Sequence, residues 1–498
     1  MADKKMPVVS AELGVNLAAM NAVFHKDRNN DIVFREFVSG KGTRCFVGYI
    51  DGMSSGQAIN EFILKPVMLN TDPSASSKNL VQTHDIKASV ELKDAVEGIL
   101  GGDAALFEEG ESQCLILETK GFQSRSISTP ETEKTIKGSQ EAFTESIRVN
   151  TTLVHRILRT PELCCEFLTV GEMNQNSCAL MYLDNVVNKK TLREVKKRME
   201  EIKGDYIMGS GMVEQLIEDS PFSLFPSLLS TERPDRAAGY LAMGRIIILC
   251  DNSPNAIVVP VSLALLLDSP EGISQRWQSG TLARLVRMFA FFSSTMLSAL
   301  YLAMVLYHRE MIPTQLLSNL VVARAGIPFP SVVEVLVMEL FFELVREAGL
   351  RSPSVLGSAM GIVGALILGQ SAVEANLVSP VTLIIVALSG LGNIALPDYD
   401  LAFGIRVLKL LFILGGAALG FLGIAVALVL TLAMLGNQRS FGVSMLSVQS
   451  LRWDAGNPVM FQWPLWKLRY RPRDLRVQRD EAYPKISRKW TDDGVGTE

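Results

Sequence analysis

The chain has 498 residues with 52 acidic and 48 basic side chains, too long for one ordinary domain; its formal net charge of −4 averages over compartments and says little, and we expect no nucleic acid partner. Nearly all of that charge lies before Arg287 or after Arg439. Between them run long stretches of Leu, Ile, Val, Ala, Phe and Gly, too apolar and too extended for the core of a soluble protein.

The opening stretch, Met1 to Met20, carries lysines but no apolar segment followed by a cleavage site, so we expect the first domain to stay in the cytoplasm. Arg44 to Ile50 reads as a strand ending in an acidic turn at Asp51, and Gly56 to Leu69 has helical apolar spacing. The same pattern returns about 133 residues later, where Ser177 to Leu183 is a strand ending at Asp184 and Thr191 to Ile202 is a charged amphipathic helix. Each unit is trailed by a hairpin-like pair, at 104–117 and at 245–259. We therefore expect two related α/β subdomains, roughly 30–125 and 165–262. Asp51 and Asp184, at the end of a strand before a helix, are expected mainly as helix caps. Between the subdomains, 128–159 is polar with helical spacing after Gly138, which predicts a connector helix, either solvated or in contact with another chain or with the apolar region. The six cysteines, Cys45, Cys114, Cys164, Cys165, Cys178 and Cys250, have no CxxC spacing and read as reduced, buried thiols.

Met288 to Tyr307 is uncharged for 20 residues, the length needed to cross a hydrocarbon core of about 30 Å. Met311 to Ala323 is too short and too polar to cross alone. Ser331 to Val345 is apolar apart from Glu334, Glu339 and Glu343. At about 100° per residue, Glu339, Glu343 and Arg346 share one stripe. That stripe allows three readings: an interfacial helix with its acids in water, a static buried Glu/Arg pair, or a pore lining. Ser352 to Val373 (22 residues), Ala375 to Pro397 (23) and Leu410 to Asn437 (28) are further uncharged runs. Small residues at helix-contact spacing, Gly357, Gly361 and Gly364 in one run and Gly416 and Gly420 in another, predict close helix packing. Ser354, Ser358 and Gly361 join Glu339 and Glu343 as candidate pore or gate residues.

Basic residues before the first run and the ten Lys or Arg against seven acids after Leu451 predict two cytoplasmic termini and four crossings, with 311–346 re-entrant or interfacial. Trp453, Trp463 and Trp466 suit a tail lying on the membrane surface. The expected fold class is thus a soluble α/β N-terminal region of two related subdomains followed by an all-α multi-span transmembrane domain. Its divisions are 1–125, a connector at 126–164, 165–280, the transmembrane helices at 281–440, and a basic cytoplasmic or interfacial tail at 441–498. There is no Walker loop, HExxH, GxSxG or Cys/His metal spacing, so we expect no enzyme, cofactor or metal. Gly390-Leu-Gly392-Asn-Ile-Ala395 mimics a dinucleotide fingerprint, but it sits inside an apolar run with no strand before it.

Several longer motifs carry a resemblance. They are Pro130-Glu-Thr-Glu133, Glu141-Ala-Phe-Thr-Glu145, Pro221-Phe-Ser-Leu-Phe-Pro226 with Thr231-Glu-Arg-Pro-Asp235, His308-Arg-Glu-Met-Ile-Pro-Thr314, Pro328-Phe-Pro330, Met338-Glu-Leu340 with Arg346-Glu-Ala-Gly349, Gly369-Gln-Ser-Ala-Val-Glu-Ala375 and Ser440-Phe-Gly-Val443. From about Asp103 to Leu451 the chain resembles the A subunits of the GerA-type nutrient germinant receptors of bacterial endospores. The resemblance implies a multi-pass protein of the spore inner membrane that works with a permease-like B subunit and a lipoprotein C subunit. It also implies a homo-oligomer, expected as a pentamer, that conducts monovalent cations across the lipid bilayer when a nutrient is sensed. The alternatives are a sporulation-stage paralogue of the same family, a non-conducting membrane scaffold and a secondary transporter.

Overall fold

The computed structural model of the chain describes residues 7–72, 75–121, 129–130, 133, 135, 137–269, 275–351, 369–446, 461–464, 468 and 470–482. Its first half holds two five-stranded antiparallel sheets. One contains β1 (Ile32–Val38), β2 (Arg44–Ile50), β3 (Ile86–Ser89), β4 (Ala104–Glu108) and β5 (Cys114–Leu117), in the order β1-β2-β4-β5-β3. The other contains β6 (Leu163–Val170), β7 (Asn176–Leu183), β8 (Leu229–Thr231), β9 (Ile246–Cys250) and β10 (Ala256–Val259), in the order β6-β7-β9-β10-β8. The two connectivities are the same. Helices α1 (Leu13–Val23) and α2 (Leu92–Leu100) accompany the first sheet; α3 (Ile147–Ile157), α4 (Lys189–Glu200), α5 (Ser210–Ile217) and α6 (Pro234–Ala242) accompany the second.

Strand β9 shows why the second sheet forms where it does. All five of its residues are buried, because alternate side chains enter two different cores. Ile246, Ile248 and Cys250 pack with Leu192, Val195 and Met199 of α4, whereas Ile247 and Leu249 pack in the core that holds Val154 of α3 and Leu241 of α6. That second core continues without a break into the helical region, through Ala299, Leu401, Ile405, Phe412 and Leu435. All six cysteines are free and buried. Burial pushes the Cys45 and Cys164 thiols up to about 12 and Cys114 to about 11, so they stay protonated and inert.

Two local expectations change. The helix caps after the repeated strands are Ser55, which accepts from the Ala58 N–H, and Asn188, which accepts from the Lys190 N–H. Asp51 and Asp184 lie four residues earlier and pair with arginines instead, Asp51 with Arg148 at 3.4 Å and Asp184 with Arg28 at 2.7 Å. The connector is helical only from Ile147, not from Gly138, and α3 is not a solvated linker but is packed within the chain. Ile147, Leu153 and Val154 fill the second sheet's core, while Asn150, Thr151 and His155 are buried too, so polarity along the sequence concealed a packed helix.

The helical region comprises α7 (Trp277–Leu306), a 3₁₀ turn at Arg309–Met311, α8 (Thr314–Arg324), α9 (Ser331–Arg351), α10 (Pro380–Ile394), α11 (Tyr399–Leu419) and α12 (Phe421–Asn437). By length and composition α7 and α11 are able to cross a membrane; α10 and α12 are apolar but shorter. The uncharged run from Leu410 to Asn437 is not one span. Gly420 breaks it with φ +63° and ψ −136°, a conformation suited to glycine, and the chain folds back so that Gly415 and Gly423 lie backbone to backbone. Because α11 starts at Tyr399, Arg406 and Lys409 lie inside a helix rather than flanking one. Ser331 to Val345 does not keep all of its acids in water, since Glu334 is fully buried and Glu339 nearly so, while Glu343 is half-exposed. Residues 470–482 of the tail return to the second α/β unit: Gln478 Nε2 donates to the Val187 carbonyl at 2.6 Å, and Val477 covers Gly244.

Candidate functional site: the polar seam between the helices

Helix α9 places its ionisable groups on two sides. Glu334 faces α8 and α10, where its Oε2 accepts from the Ser379 N–H at 3.0 Å and the Thr382 hydroxyl at 3.2 Å. Its Oε1 lies 3.4 Å from Arg324 of α8. One and a half turns on, Glu339 faces α7 and α11, accepting from Ser298 Oγ at 2.9 Å and from the Lys409 ammonium at 2.6 Å. Glu343 is half-exposed, 3.5 Å from Arg406. Arg346 donates to Asn393 Oδ1 at 2.6 Å, and Asn393 in turn donates to the Ala402 carbonyl at 2.9 Å.

The groups form a series of separate polar clusters along a seam between apolar helices, with Tyr301 to Thr382 at 3.1 Å beside Glu334 and Ser389 to the Ser294 carbonyl at 3.2 Å as further contacts. A buried ion costs several kcal/mol to desolvate, so each such carboxylate requires a cation or several donors. Lys409 supplies this to Glu339, and Ser298 occupies its other oxygen. Helix approach is set by glycines: a Cβ on Gly416 would stand 2.7 Å from the Ala299 carbonyl oxygen, and one on Gly392 would stand 2.8 Å from that of Ala290. Gly390 lies flat against the Phe342 ring, so the dinucleotide-like run serves helix packing. Gly420 is the turn itself, with Tyr307 and His308 against it. Ser354, Gly357, Ser358, Gly361, Gly364, Trp453 and Trp466 lie outside the described residues.

The partners of the acidic stripe, Ser298, Arg324, Asn393, Arg406 and Lys409, are absent from the candidates that the sequence suggests. They come from four different helices, and the one signal in the sequence is the pair of basic residues three apart, Arg406 and Lys409, at the edge of an apolar run.

The seam is tied to the α/β units by the quoted motifs. Leu224, in Pro221–Pro226, sets its carbonyl against Gly404 of α11; Ser223 donates to Gln438 at 2.8 Å, and Gln438 donates to the Phe225 carbonyl at 2.6 Å. Ser440 donates to the Ser227 carbonyl at 2.6 Å. Glu133 accepts from Thr231 at 2.5 Å and pairs with Arg236, which joins two further motifs. Buried Arg233 donates to Thr135, to two carbonyls and to Asp235. Near the start of α11, burial and the charges of Asp400, Asp398 and Glu218 push the Glu214 carboxyl up to about 7. Between the two α/β units, buried Asp31 accepts from Arg148 at 2.7 Å and lies 3.2 Å from His155. Burial pushes the Asp184 carboxyl up, but Lys189 and Arg28 outweigh it and hold it below the ordinary value.

A sequence profile described as "Bacillus/Clostridium GerA spore germination protein" matches residues 18–474. Spore germination protein KA of Bacillus subtilis (strain 168) is 35% identical over 485 residues, 95% of this chain and 88% of that protein. The uncharacterized membrane protein YfkQ of the same strain is 36% identical, covering 89% of this chain and 88% of its own, and spore germination protein GerLA of Bacillus cereus is 32% identical, covering 92% and 94%. The N-terminal domain of the A subunit of the Bacillus megaterium spore germinant receptor GerK3 aligns with a TM-score of 0.39 at 28% identity, over 52% of this chain and 98% of that one. The chain belongs to the GerA family of spore germination proteins, the A subunits of spore germinant receptors.

Proposed function

We propose that the chain is the membrane subunit of a nutrient-sensing germinant receptor of the spore inner membrane, and that copies of it, with a pentamer as the expected number, surround a gated path for monovalent cations. A permease-like B subunit and a lipoprotein C subunit complete the receptor in this reading, and both termini are cytoplasmic. The observation that carries it is the Glu339–Lys409–Ser298 contact, an ion pair held between three helices of which two are long and apolar enough to cross a bilayer. Charge at that depth is costly and is kept where an ion or a conformational change uses it. In this reading Glu339 and Glu343, together with Ser354, Ser358 and Gly361, are the candidate pore or gate residues.

The test is potassium flux from liposomes that hold the chain with its B and C subunits, challenged with a mixture of amino acids and sugars. We expect nutrient-dependent flux, altered in rate or gating by Glu339→Gln. Absence of flux under every condition would sink the conducting role. A second reading, a non-conducting scaffold, is favoured by the fact that Glu339 and Lys409 neutralise one another within a single chain; it predicts intact assembly with B and C and no current.

A further inference from the structure

At the end of α7 remote from the α/β units, a cavity of about 280 Å³ opens between α7, the Arg309–Met311 turn and α8. Arg309 and Arg324 line it together with Val305, Ile312, Leu317 and Val321. Arg309 donates through Nε to the Val305 carbonyl at 2.8 Å, which fixes the guanidinium at the rim, and it has no carboxylate within ion-pair reach among the described residues. Arg324 has a single carboxylate neighbour, Glu334, at 3.4 Å, and its Nε is buried with no acceptor among the described residues. Two guanidinium charges therefore stand against one carboxylate, which leaves the cavity with an excess of positive charge. The surroundings are apolar, for Met311, Leu316, Val321 and Val322 are all exposed. From Arg287 to Leu306 the helical rise is about 28 Å, close to one hydrocarbon thickness, so Arg287 within α7 and Arg309 just past its end stand at opposite headgroup levels in the membrane-crossing reading.

We propose that this cavity binds an oxyanion on an apolar stem, the phosphodiester of an anionic lipid in the leaflet opposite the α/β units. The inference rests on the membrane-crossing reading of α7 and is independent of whether the receptor conducts. Arg309 and Arg324 hold the phosphate oxygens through charge-assisted hydrogen bonds from their guanidinium groups, and Leu317 and Val321 receive the first carbons of the lipid.

The test uses the full-length chain reconstituted in phosphatidylcholine vesicles with or without phosphatidylglycerol, extracted in mild detergent, with retained lipid counted by native mass spectrometry. Phosphatidylglycerol should be retained over phosphatidylcholine. Arg309→Gln should cut that retention about tenfold, the loss of one charge-assisted hydrogen bond. Leu317→Trp, which fills the cavity and keeps both charges, should do the same, and Arg439→Gln should change nothing. Arg324→Gln is not the leading variant because it strips buried Glu334 of its cation. Displacement of bound phosphatidylglycerol by glycerol 3-phosphate supports the headgroup assignment. Binding of inorganic phosphate with no preference for phosphatidylglycerol overturns the lipid as its source. Equal retention of both lipids, or unchanged retention in Arg309→Gln and Leu317→Trp, overturns the site. A wild-type chain that fails to enter vesicles at all overturns the membrane reading instead.

Discussion

Lys409 is worth more to Glu339 than to the helix it belongs to. Lys409→Met would leave a carboxylate almost fully buried with only Ser298 as donor, at a cost of about 3–5 kcal/mol. Glu339→Gln with Lys409→Met removes both charges and should recover most of that stability. Thermal unfolding in detergent checks both variants, and a double variant no more stable than Lys409→Met would show that the stranded Glu339 charge is not what destabilises the single variant. Glu214 gives a pH signature of the opposite kind to a salt-bridged acid. Its folded value, raised to about 7, lies above its unfolded value, so the folded chain holds a proton that the unfolded chain has already released. The stability it adds is present in full below the ordinary glutamate range and is lost as pH rises toward about 7. Glu214→Gln should flatten the fall in unfolding temperature between pH 5 and 7 and raise that temperature at pH 8; an unchanged slope would remove Glu214 as its source.

Among the elements, the hairpin of α11 and α12 depends on one backbone geometry. Gly420→Ala places a Cβ at positive φ and 3.1 Å from His308 and Tyr307, so we expect about 1–3 kcal/mol of destabilisation. Gly436→Ala, on the same hairpin with open space around it, should fall within about 0.5 kcal/mol of wild type. Urea or thermal unfolding of the two variants compares them directly. The sequence shows why such a turn is hard to foresee: Leu410 to Asn437 is uncharged throughout, and a glycine in an apolar run reads equally as a packing contact or as a break. The strands were legible because their period and their hairpin turns are local. Arg44–Ile50 coincides with β2, and the 104–117 and 245–259 pairs became β4–β5 and β9–β10. The acids of α9 were legible for the same local reason, but their partners were not, since Lys409 lies 70 positions from Glu339. Asp51 and Asp184 misled through an equally local rule, because the strand-to-helix position invites a cap while the arginines that hold them come from elsewhere in the fold.

For the whole molecule, repetition and continuity both matter. Each α/β unit has the same strand order, and they meet through Asp31, buried against Arg148 and His155, and through Arg28 to Asp184. Asp31→Asn keeps the shape and removes the charge that both partners face, so the two units should separate more readily. Hydrogen exchange across β1 and α3 should quicken while β9 stays protected; uniform quickening would mean global destabilisation instead. The second unit shares its core with the helices, which the sequence could not reveal, because the break in composition near Arg287 carries no sign of the packing that runs across it.

Gly404 has no side chain, and the Leu224 carbonyl rests directly on its backbone. Lys409 lies five positions farther along the same helix, about 7.5 Å of axial rise away. A rigid rod thus carries a thrust bearing from the α/β side at one point and the cation of the buried pair at the next. A displacement of the loop at Pro221–Pro226 that shifts Gly404 would carry the Lys409 backbone with it, because one unbroken helix holds both.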